Sequence, residues 1–330
     1  MKETTYIFSN GSLRRKDNTI CFETENNKKY LPIEHIKEIF IFGEVDINKR
    51  LIGYLSQKEI ILSYFNYYGY YMGSFYPRKH YNSGFMILKQ SLKYNDKTER
   101  LRIAKKFVKG AVKNCLKILK YYNRRNKNLK NKIDVIEEIK SDINKQQEIS
   151  TLMSVEAAIK KEYYDAFNKI VNNEKFKFEK RSKRPPKDYI NTLISFGNSL
   201  IYTYVLNEIY KTHLDPRIGF LHTTNYRRFT LNLDIAEIFK PVIGDRTIFK
   251  VINKNIITED DFDKDTNGII LKENGKKRFI EKIEKRLKQT IKHSNLKKRV
   301  SYRRLIRLEL YKLQKHVMNE KSYKPFVMDW

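Results

Sequence analysis

The segment YPRKHYNSG, residues 76–84, divides the chain into two parts with different hydrophobic periods. Its proline, asparagine and glycine residues are typical of a connection between domains. Before it, short β-branched or aromatic runs alternate with turn-forming residues, whereas after it apolar residues recur at helical spacing. The pattern therefore predicts an α+β protein with a small β domain over 1–80 and a larger α domain over 81–330.

The β domain is predicted from four short runs, TYIF, TICFET, KKYLPI and IKEIFIFG. They are separated by SNG, RKDN and ENN, which carry turn chemistry. One helix is expected over 48–59, where Leu51, Tyr54 and Leu55 share a face. The run IILSYFNYYGYYMGSF then reads as two strands joined by a turn at Gly69.

The α domain is predicted from amphipathic stretches that begin near residue 85. Residues 178–188, FEKRSKRPPKD, form a basic loop because adjacent prolines cannot lie inside a helix. Residues 189–214 are apolar on most faces, so this helix is expected at the centre of the core. An acidic, turn-rich connection over 258–275 precedes two basic amphipathic helices, 276–292 and 300–317.

The charge balance indicates nucleic acid as a partner. The chain has 68 Lys and Arg residues against 38 Asp and Glu, a formal net charge of +30. A folded domain with this excess repels itself unless a polyanion binds it. An AT-rich genome would account for the choice of lysine over arginine but not for the shortage of acids. With 40% hydrophobic residues, the chain is too apolar for a disordered protein.

A cytoplasmic protein is expected from several weaker signals. Cys21 and Cys115 fit no metal-binding spacing and are expected to be reduced thiols. The first residues, MKETTYIFSN, lack the apolar run of a signal peptide. No uninterrupted apolar run approaches the length of a membrane span.

A candidate metal site lies in GFLHTTNYRRFTLNLDIAEIFKP, residues 219–241. His222 follows a short apolar run, and Asp234 and Glu237 lie one helical turn apart. Far upstream, Glu156 borders the apolar stripe of its helix. Carboxylate oxygens with one imidazole suit Mg²⁺ or Mn²⁺. The spacing alone leaves open a hydrogen-bonded structural histidine, a solvated helix edge and a glutamate paired with a nearby lysine.

Several cations near these acids are candidates for phosphate contacts. A solvated charge is the alternative for each one singly. Together they would form a basic surface around a carboxylate site. The candidates are Lys160, Arg184, Arg227, Arg228 and Arg246.

Three ordered motifs give the chain a family resemblance: SVEAAIKKEYYDAF, RPPKDYINTLISFGNSLIYTYV and LDPRIGFLHTTNYRRFTLNLDIAEIFKPVIGDR. In this order they resemble the CRISPR-associated endonuclease/integrase family Cas1, which captures new spacers. YIFSNGSLRRKDNTICF and LPIEHIKEIFIFGEVDIN resemble the β domain of that family. The ending YRRLIRLELYKLQKHV followed by YKPFVMDW resembles the variants of type I-B systems.

The resemblance implies an N-terminal β-sandwich-like domain that dimerises and a C-terminal all-α catalytic domain. It implies that Glu156, His222 and Glu237 are the catalytic residues that bind the metal. Asp234 is the neighbouring acid, which either binds the ion directly or supports a ligand, and the resemblance leaves this choice open. Lys160 stands where other members use arginine.

The implied function is a metal-dependent DNA endonuclease/integrase in antiviral defence. The 3′-hydroxyl ends of a captured DNA would attack the repeat borders of a CRISPR array by transesterification. The implied partners are double-stranded and branched DNA, a second copy of the chain, and the small ferredoxin-like protein Cas2. Two alternatives share the composition: a non-catalytic nucleic-acid-binding scaffold and a metal-dependent RNA nuclease.

Overall fold

The structure is a computed structural model that describes residues 2–78, 81, 83–224, 229–265, 268–293 and 296–329. The chain forms two compact units, Met1–Tyr81 and Asn82–Trp330. The first is rich in strands and the second in helices, so the α+β class is confirmed.

The described part of the first unit has two four-stranded sheets, one α-helix and a short 3₁₀ helix (Ile33–His35). Its elements are β1 (Glu3–Ile7), β2 (Gly11–Lys16), β3 (Thr19–Glu23), β4 (Lys28–Pro32), β5 (Ile36–Ile41), β6 (Val45–Ile47), α1 (Lys49–Gln57), β7 (Ile61–Phe65) and β8 (Tyr71–Phe75). One sheet has the order β1-β5-β7-β8, in which β8 is antiparallel to β7 and the other neighbours are parallel. The other has the order β4-β3-β2-β6.

Both sheets and α1 pack around one shared apolar core. It takes fully buried side chains from β2, β3, β5, α1 and β7, which include Leu13, Ile20, Ile39, Leu51 and Leu62. The predicted helical face is confirmed, because Leu51, Tyr54 and Leu55 are the buried residues of α1.

The sequence pattern does not predict β2, whose residues GSLRRK lie among segments with turn chemistry. Of its side chains only Leu13 is buried. The strand forms because its backbone pairs with β3 on one side and with β6 on the other. The turn between β2 and β3 is shorter than the predicted turn segment RKDN. Its Asp17 lies in the left-handed region at φ 52°.

Helices make up most of the second unit. Its elements are α2 (Gly84–Asn95), α3 (Lys97–Asn123), α4 (Lys130–Ser141), α5 (Ile149–Asp165), α6 (Phe167–Ile170), α7 (Tyr189–Ile209), α8 (Leu231–Lys240), α9 (Arg246–Asn253), β9 (Phe262–Asp265), β10 (Gly268–Leu271), α10 (Glu273–Lys288), β11 (Thr290–His293), β12 (Lys298–Ser301) and α11 (Tyr302–Val317). The predicted central helix is confirmed, since nearly every residue of α7 is buried.

The prediction of an all-α second domain is wrong in two places. In the segment predicted as an acidic connection, β9 and β10 pair as an antiparallel hairpin. The helix predicted over 276–292 ends at Lys288, and β11 begins at Thr290 and pairs with β12. Short β-branched runs, Ile269–Ile270 and Thr290–Ile291, favour strands where helical periodicity ends.

Two predictions concern the whole chain, one about membrane spans and one about the cysteines. In the described residues, no helix has a segment long and apolar enough to cross a bilayer. Cys21 and Cys115 are both buried and free of disulfide bonds.

Candidate functional site

Two carboxylates from different helices meet on one lysine in the second unit. Glu156 and Lys160 are four residues apart on α5, and Glu156 Oε1 lies 3.0 Å from Lys160 Nζ. Glu237 of α8 binds the same ammonium group through its Oε2. The side chains of Glu156 and Lys160 are 18% and 22% exposed, and that of Glu237 is 7% exposed.

A second lysine completes this group. Lys240 lies three residues after Glu237 on α8 and binds its Oε1, with a side chain only 8% exposed. Its ammonium group lies 4.7 Å from the centre of the Tyr202 ring. Each of the two helices thus contributes one glutamate and one lysine. We call Glu156, Lys160, Glu237 and Lys240 the carboxylate–lysine cluster.

Electrostatics keep Glu237 and the two lysines ionised despite their burial. Burial alone would raise the pKa of Glu237, but the ammonium groups of Lys160 and Lys240 hold it well below its usual range. Burial would lower the pKa of Lys240, and the charge of Glu237 raises it instead. Ionised carboxylates are the form that binds a cation.

The GFLH segment, Gly219–His222, donates hydrogen bonds to the buried carboxylate of Asp234. Its Oδ2 accepts the backbone N–H of Phe220 at 2.5 Å and of Leu221 at 3.0 Å. Its Oδ1 accepts the N–H of His222 at 3.0 Å and lies 2.8 Å from Nδ1 of the His222 ring. Four hydrogen bonds therefore engage this one carboxylate.

The His222 ring is oriented by that contact. Burial would lower the pKa of His222, but the hydrogen bond and charge of Asp234 raise it above its ordinary value. A neutral imidazole that donates from Nδ1 to Asp234 presents a lone pair at Nε2, on the other side of the ring. The charge of Glu237 also raises the pKa of the ring, and the charge of Lys240 lowers it.

Within the described residues, no three His, Cys, Asp or Glu side chains lie close enough to share one metal ion. The side chains are nevertheless of the types that bind a divalent cation, because the carboxylates of Glu156 and Glu237 already converge on a single positive charge. A histidine held at Nδ1 by a carboxylate is the usual arrangement of a metal-binding imidazole. The ammonium of Lys160 lies between the two carboxylates.

A further buried acid lies beside the cluster. Asp245 ends the wide helical turn Pro241–Asp245 that joins α8 to α9, and it accepts a hydrogen bond from the Tyr163 hydroxyl at 3.0 Å. Burial raises the pKa of Asp245 to about 7, although Tyr163, Lys160 and Lys240 lower it. Turns of this width are frequent at functional sites.

The sequence pattern predicts Arg246 as a phosphate contact but does not predict a role for Asp245 or Lys240. Lys240 could have been found, since it lies three residues from Glu237 on one helix face. The pairing of Asp245 with Tyr163 spans 82 residues and gives no local signal.

The structure places the predicted phosphate-contact residues in different surroundings. Lys160 binds two carboxylates in the cluster. Arg184 is exposed in the loop before α7. Arg246 lies over the ring of Tyr121, with 5.2 Å from its guanidinium carbon to the ring centre. Arg227 and Arg228 lie outside the described residues.

Comparisons with known proteins agree with the predicted family. The model of the family described as CRISPR associated protein Cas1 matches residues 5–285. The chain is 56% identical to a CRISPR-associated endonuclease Cas1 of Thermodesulfovibrio yellowstonii over 100% of both chains. It is 46% identical to that of Thermotoga maritima over 97% of this chain and 98% of the other.

The fold agrees as well. A solved Cas1 protein from Thermotoga maritima has a TM-score of 0.88 at 45% identity, covering 98% of this chain and 100% of its own. A casposase bound to its integration product has a TM-score of 0.88 at 20% identity, covering 99% of this chain and 93% of its own. The second likeness concerns the fold alone. Sequence and fold together show that the chain belongs to the Cas1 family of CRISPR-associated proteins.

Proposed function

We propose that this protein is a metal-dependent DNA endonuclease and integrase that inserts captured spacer DNA into a CRISPR array. The observation that carries the proposal is the convergence of Glu156 and Glu237 on one cation, together with a histidine held by Asp234, which lies three residues before Glu237 on α8. Relatives up to 56% identical are named endonucleases, which supports the nuclease activity. The shared fold of a casposase solved with its integration product supports the integrase activity.

Glu156, His222 and Glu237 would hold Mg²⁺ or Mn²⁺. When bound, such an ion would polarise a phosphoryl oxygen and stabilise the negative charge that develops there. Asp234 keeps the His222 ring in place, and its own oxygens are engaged by the GFLH segment. We therefore assign Glu237, rather than Asp234, to the ion.

The reaction exchanges one phosphodiester bond for another. The 3′-hydroxyl oxygen of the spacer attacks a phosphorus at the repeat border, and the bond from that phosphorus to its 3′-oxygen breaks. The departing oxygen ends with the proton that the attacking hydroxyl loses. The number of phosphodiester bonds is unchanged, so the reaction needs no external energy source. The chain's own task is to bind and orient the two strands.

The cationic residues would hold the DNA backbone during this exchange. We propose Arg184, Arg227, Arg228 and Arg246 for phosphate contacts. Lys160 joins them, because its ammonium group would be available to a phosphate if Glu156 and Glu237 held a metal ion instead.

The assembly is a proposal too. We propose a homodimer that acts with Cas2 on double-stranded and branched DNA. A solved Cas6-RT-Cas1–Cas2 complex contains a chain with this fold at 18% identity and a TM-score of 0.85, covering 100% of this chain and 36% of its own, which supports Cas2 as the partner.

Strand transfer into a plasmid that carries a repeat tests the proposal. We expect His222→Ala and Glu237→Gln to abolish transfer in Mn²⁺ and to weaken Mn²⁺ binding measured by calorimetry, while DNA affinity stays unchanged. Asp165→Asn is the matched control, because Asp165 lies on α5 and pairs with Lys132 at 3.4 Å, outside the cluster. Full metal-dependent transfer by His222→Ala would contradict the metal site. Cleavage of structured RNA in preference to branched DNA would favour an RNA nuclease instead.

A further inference from the structure

A pocket of about 280 Å³ lies in the second unit, apart from the carboxylate–lysine cluster. It is formed where the end of α3 meets α9 and α10. None of the described residues that line it is acidic, and none belongs to the cluster. Half of the twelve lining residues are cations: Arg246, Lys250, Lys254, Lys282, Lys285 and Arg286.

These cations repel one another. Burial lowers the pKa of Lys250, and the charges of Lys285, Lys254, Lys282 and Arg286 lower it further. Burial lowers the pKa of Arg286 to about 10, and the charge of Arg246 contributes to this. The acid that pairs with Lys282, Glu281, is 65% exposed at a distance of 2.6 Å, so water screens its charge. The pocket thus concentrates positive charge that an anion would relieve.

Hydrogen bonds hold the guanidinium group of Arg286 in place, and an aromatic ring supports that of Arg246. Arg286 donates from Nε to the carbonyl oxygen of Val242 at 2.8 Å and from Nη1 to Gln289 at 2.7 Å. Its guanidinium carbon also lies 4.0 Å from the centre of the Tyr302 ring. Arg246 lies over the ring of Tyr121 in the same way. An anion would meet donors that are already ordered, so little entropy is lost on binding.

The size and charge of the pocket indicate its ligand. Its volume lies just below the range of about 300–1,000 Å³ for sites that enclose drug-sized ligands, so a single nucleotide matches it better than a longer segment. Tyr121 and Tyr122, which line the pocket and are partly exposed, supply aromatic surface for a nucleoside beside the cations. A phosphomonoester carries about −1.5 to −2 charge at pH 7, whereas a phosphodiester carries a single negative charge. A dense group of cations therefore favours the monoester.

We propose that the pocket between α3, α9 and α10 binds the phosphomonoester of a nucleotide, either a free nucleotide or the phosphorylated end of a DNA strand. This site goes beyond the proposed metal site, because it uses none of Glu156, His222 or Glu237, and it shares only Arg246 with the phosphate contacts proposed for the integrase.

The test compares two single strands of DNA that differ only in a 5′-phosphate, each labelled at the 3′ end. Full-length protein without divalent metal is titrated with each strand by fluorescence anisotropy. We expect the phosphorylated strand to bind about tenfold tighter or more, since a single hydrogen bond to a charged group gives about that factor. Deoxyadenosine monophosphate that competes where deoxyadenosine does not would identify free nucleotides as ligands. Competition by the phosphorylated strand alone would identify strand ends.

Single charge removals locate the site. Lys285→Gln and Lys250→Gln are expected to abolish the preference for the phosphorylated strand. Lys288→Gln, an exposed lysine on the same helix outside the pocket lining, is expected to keep it. Equal binding of the two strands by the unaltered protein would overturn the proposal. So would a loss that is equal for both strands in Lys285→Gln, since it would reveal a general backbone contact. Because no metal is present, a failure of strand transfer would leave this result unaffected.

Discussion

Nδ1 of His222 lies 2.8 Å from Oδ1 of Asp234, and the same carboxylate accepts backbone N–H groups from three consecutive residues of the GFLH segment. Asp234 is fully buried, so this network is shielded from water. One side chain of α8 thus fixes both the course of the segment and the orientation of the imidazole. The next acid along the same helix face, Glu237, is left for the carboxylate–lysine cluster.

Replacing Asp234 by asparagine should uncouple these roles. We expect Asp234→Asn to lower strand transfer about 10- to 100-fold, as for other partners of metal-binding histidines. We also expect the pKa of His222 to fall, because burial remains while the negative charge is lost. Titration of the imidazole by NMR measures this directly. A pKa that stays raised in the variant would show that Asp234 does not control the ring.

Lys160 should compete with a divalent ion for Glu156 and Glu237. Without metal, we expect Lys160→Gln to lower the free energy of unfolding by about 3 kcal/mol, because it breaks a largely buried ion pair. We further expect Mn²⁺ to raise the melting temperature of this variant more than that of the unaltered protein. Thermal melts with and without Mn²⁺ test both. Lys161→Gln, at the exposed neighbouring position, is the control and should match the unaltered protein. If Mn²⁺ raises the melting temperature equally in the unaltered protein and in both variants, Lys160 does not compete with the ion.

The fold was predictable where side chains alone decide it. The helical stripe of α1 and the apolar length of α7 are visible in the sequence because burial selects their residues. β2 and the hairpins β9–β10 and β11–β12 escape the sequence pattern. Their stability comes mainly from backbone pairing with adjacent strands, which depends little on hydrophobic period, although short β-branched runs favour β10 and β11.

The site was predictable as a set of residue types but not as a set of contacts. Asp234 and Glu237 share one helix face, so spacing cannot tell which of them lies under the GFLH segment. That difference arises from the loop that packs on α8, and only the hydrogen bonds of Asp234 reveal it. Tyr163 and Asp245 show the same limit, because their contact depends on how α5 packs near the turn after α8.

Asp245 should make stability depend on pH. Its pKa is about 7 in the folded protein against an ordinary value of 3.8, with burial as the main cause. Between these values the folded protein holds a proton that the unfolded chain has released. The free energy of unfolding therefore falls as the pH rises from 3.8 to about 7. The stabilisation that comes from the proton held by folded Asp245 is complete only below pH 3.8.

Asp245→Asn removes this titration and keeps an oxygen that can accept the Tyr163 hydrogen bond. In denaturant unfolding, we expect the variant to become more stable relative to the unaltered protein as the pH rises from about 5 to about 8. The difference between their free energies of unfolding should change by on the order of a few kcal/mol. His222 and His316 also have shifted pKa values, but they are present in both proteins and cancel in the difference. A stability difference that does not change with pH would contradict the raised pKa.

Gly219 should be required for the GFLH segment to reach Asp234. A Cβ atom at this position would lie 2.8 Å from the backbone carbon of Thr230 and 2.9 Å from Oδ2 of Asp234, closer than real contacts allow. We expect Gly219→Ala to cost about 1–3 kcal/mol of stability, as overpacking does, and to lower strand transfer by displacing His222. Gly53→Ala is the matched control, because a Cβ there meets nothing within 4 Å. Thermal melts and transfer assays of both variants decide the question: if Gly219→Ala behaves like Gly53→Ala, the close approach of the segment to Asp234 does not position the histidine.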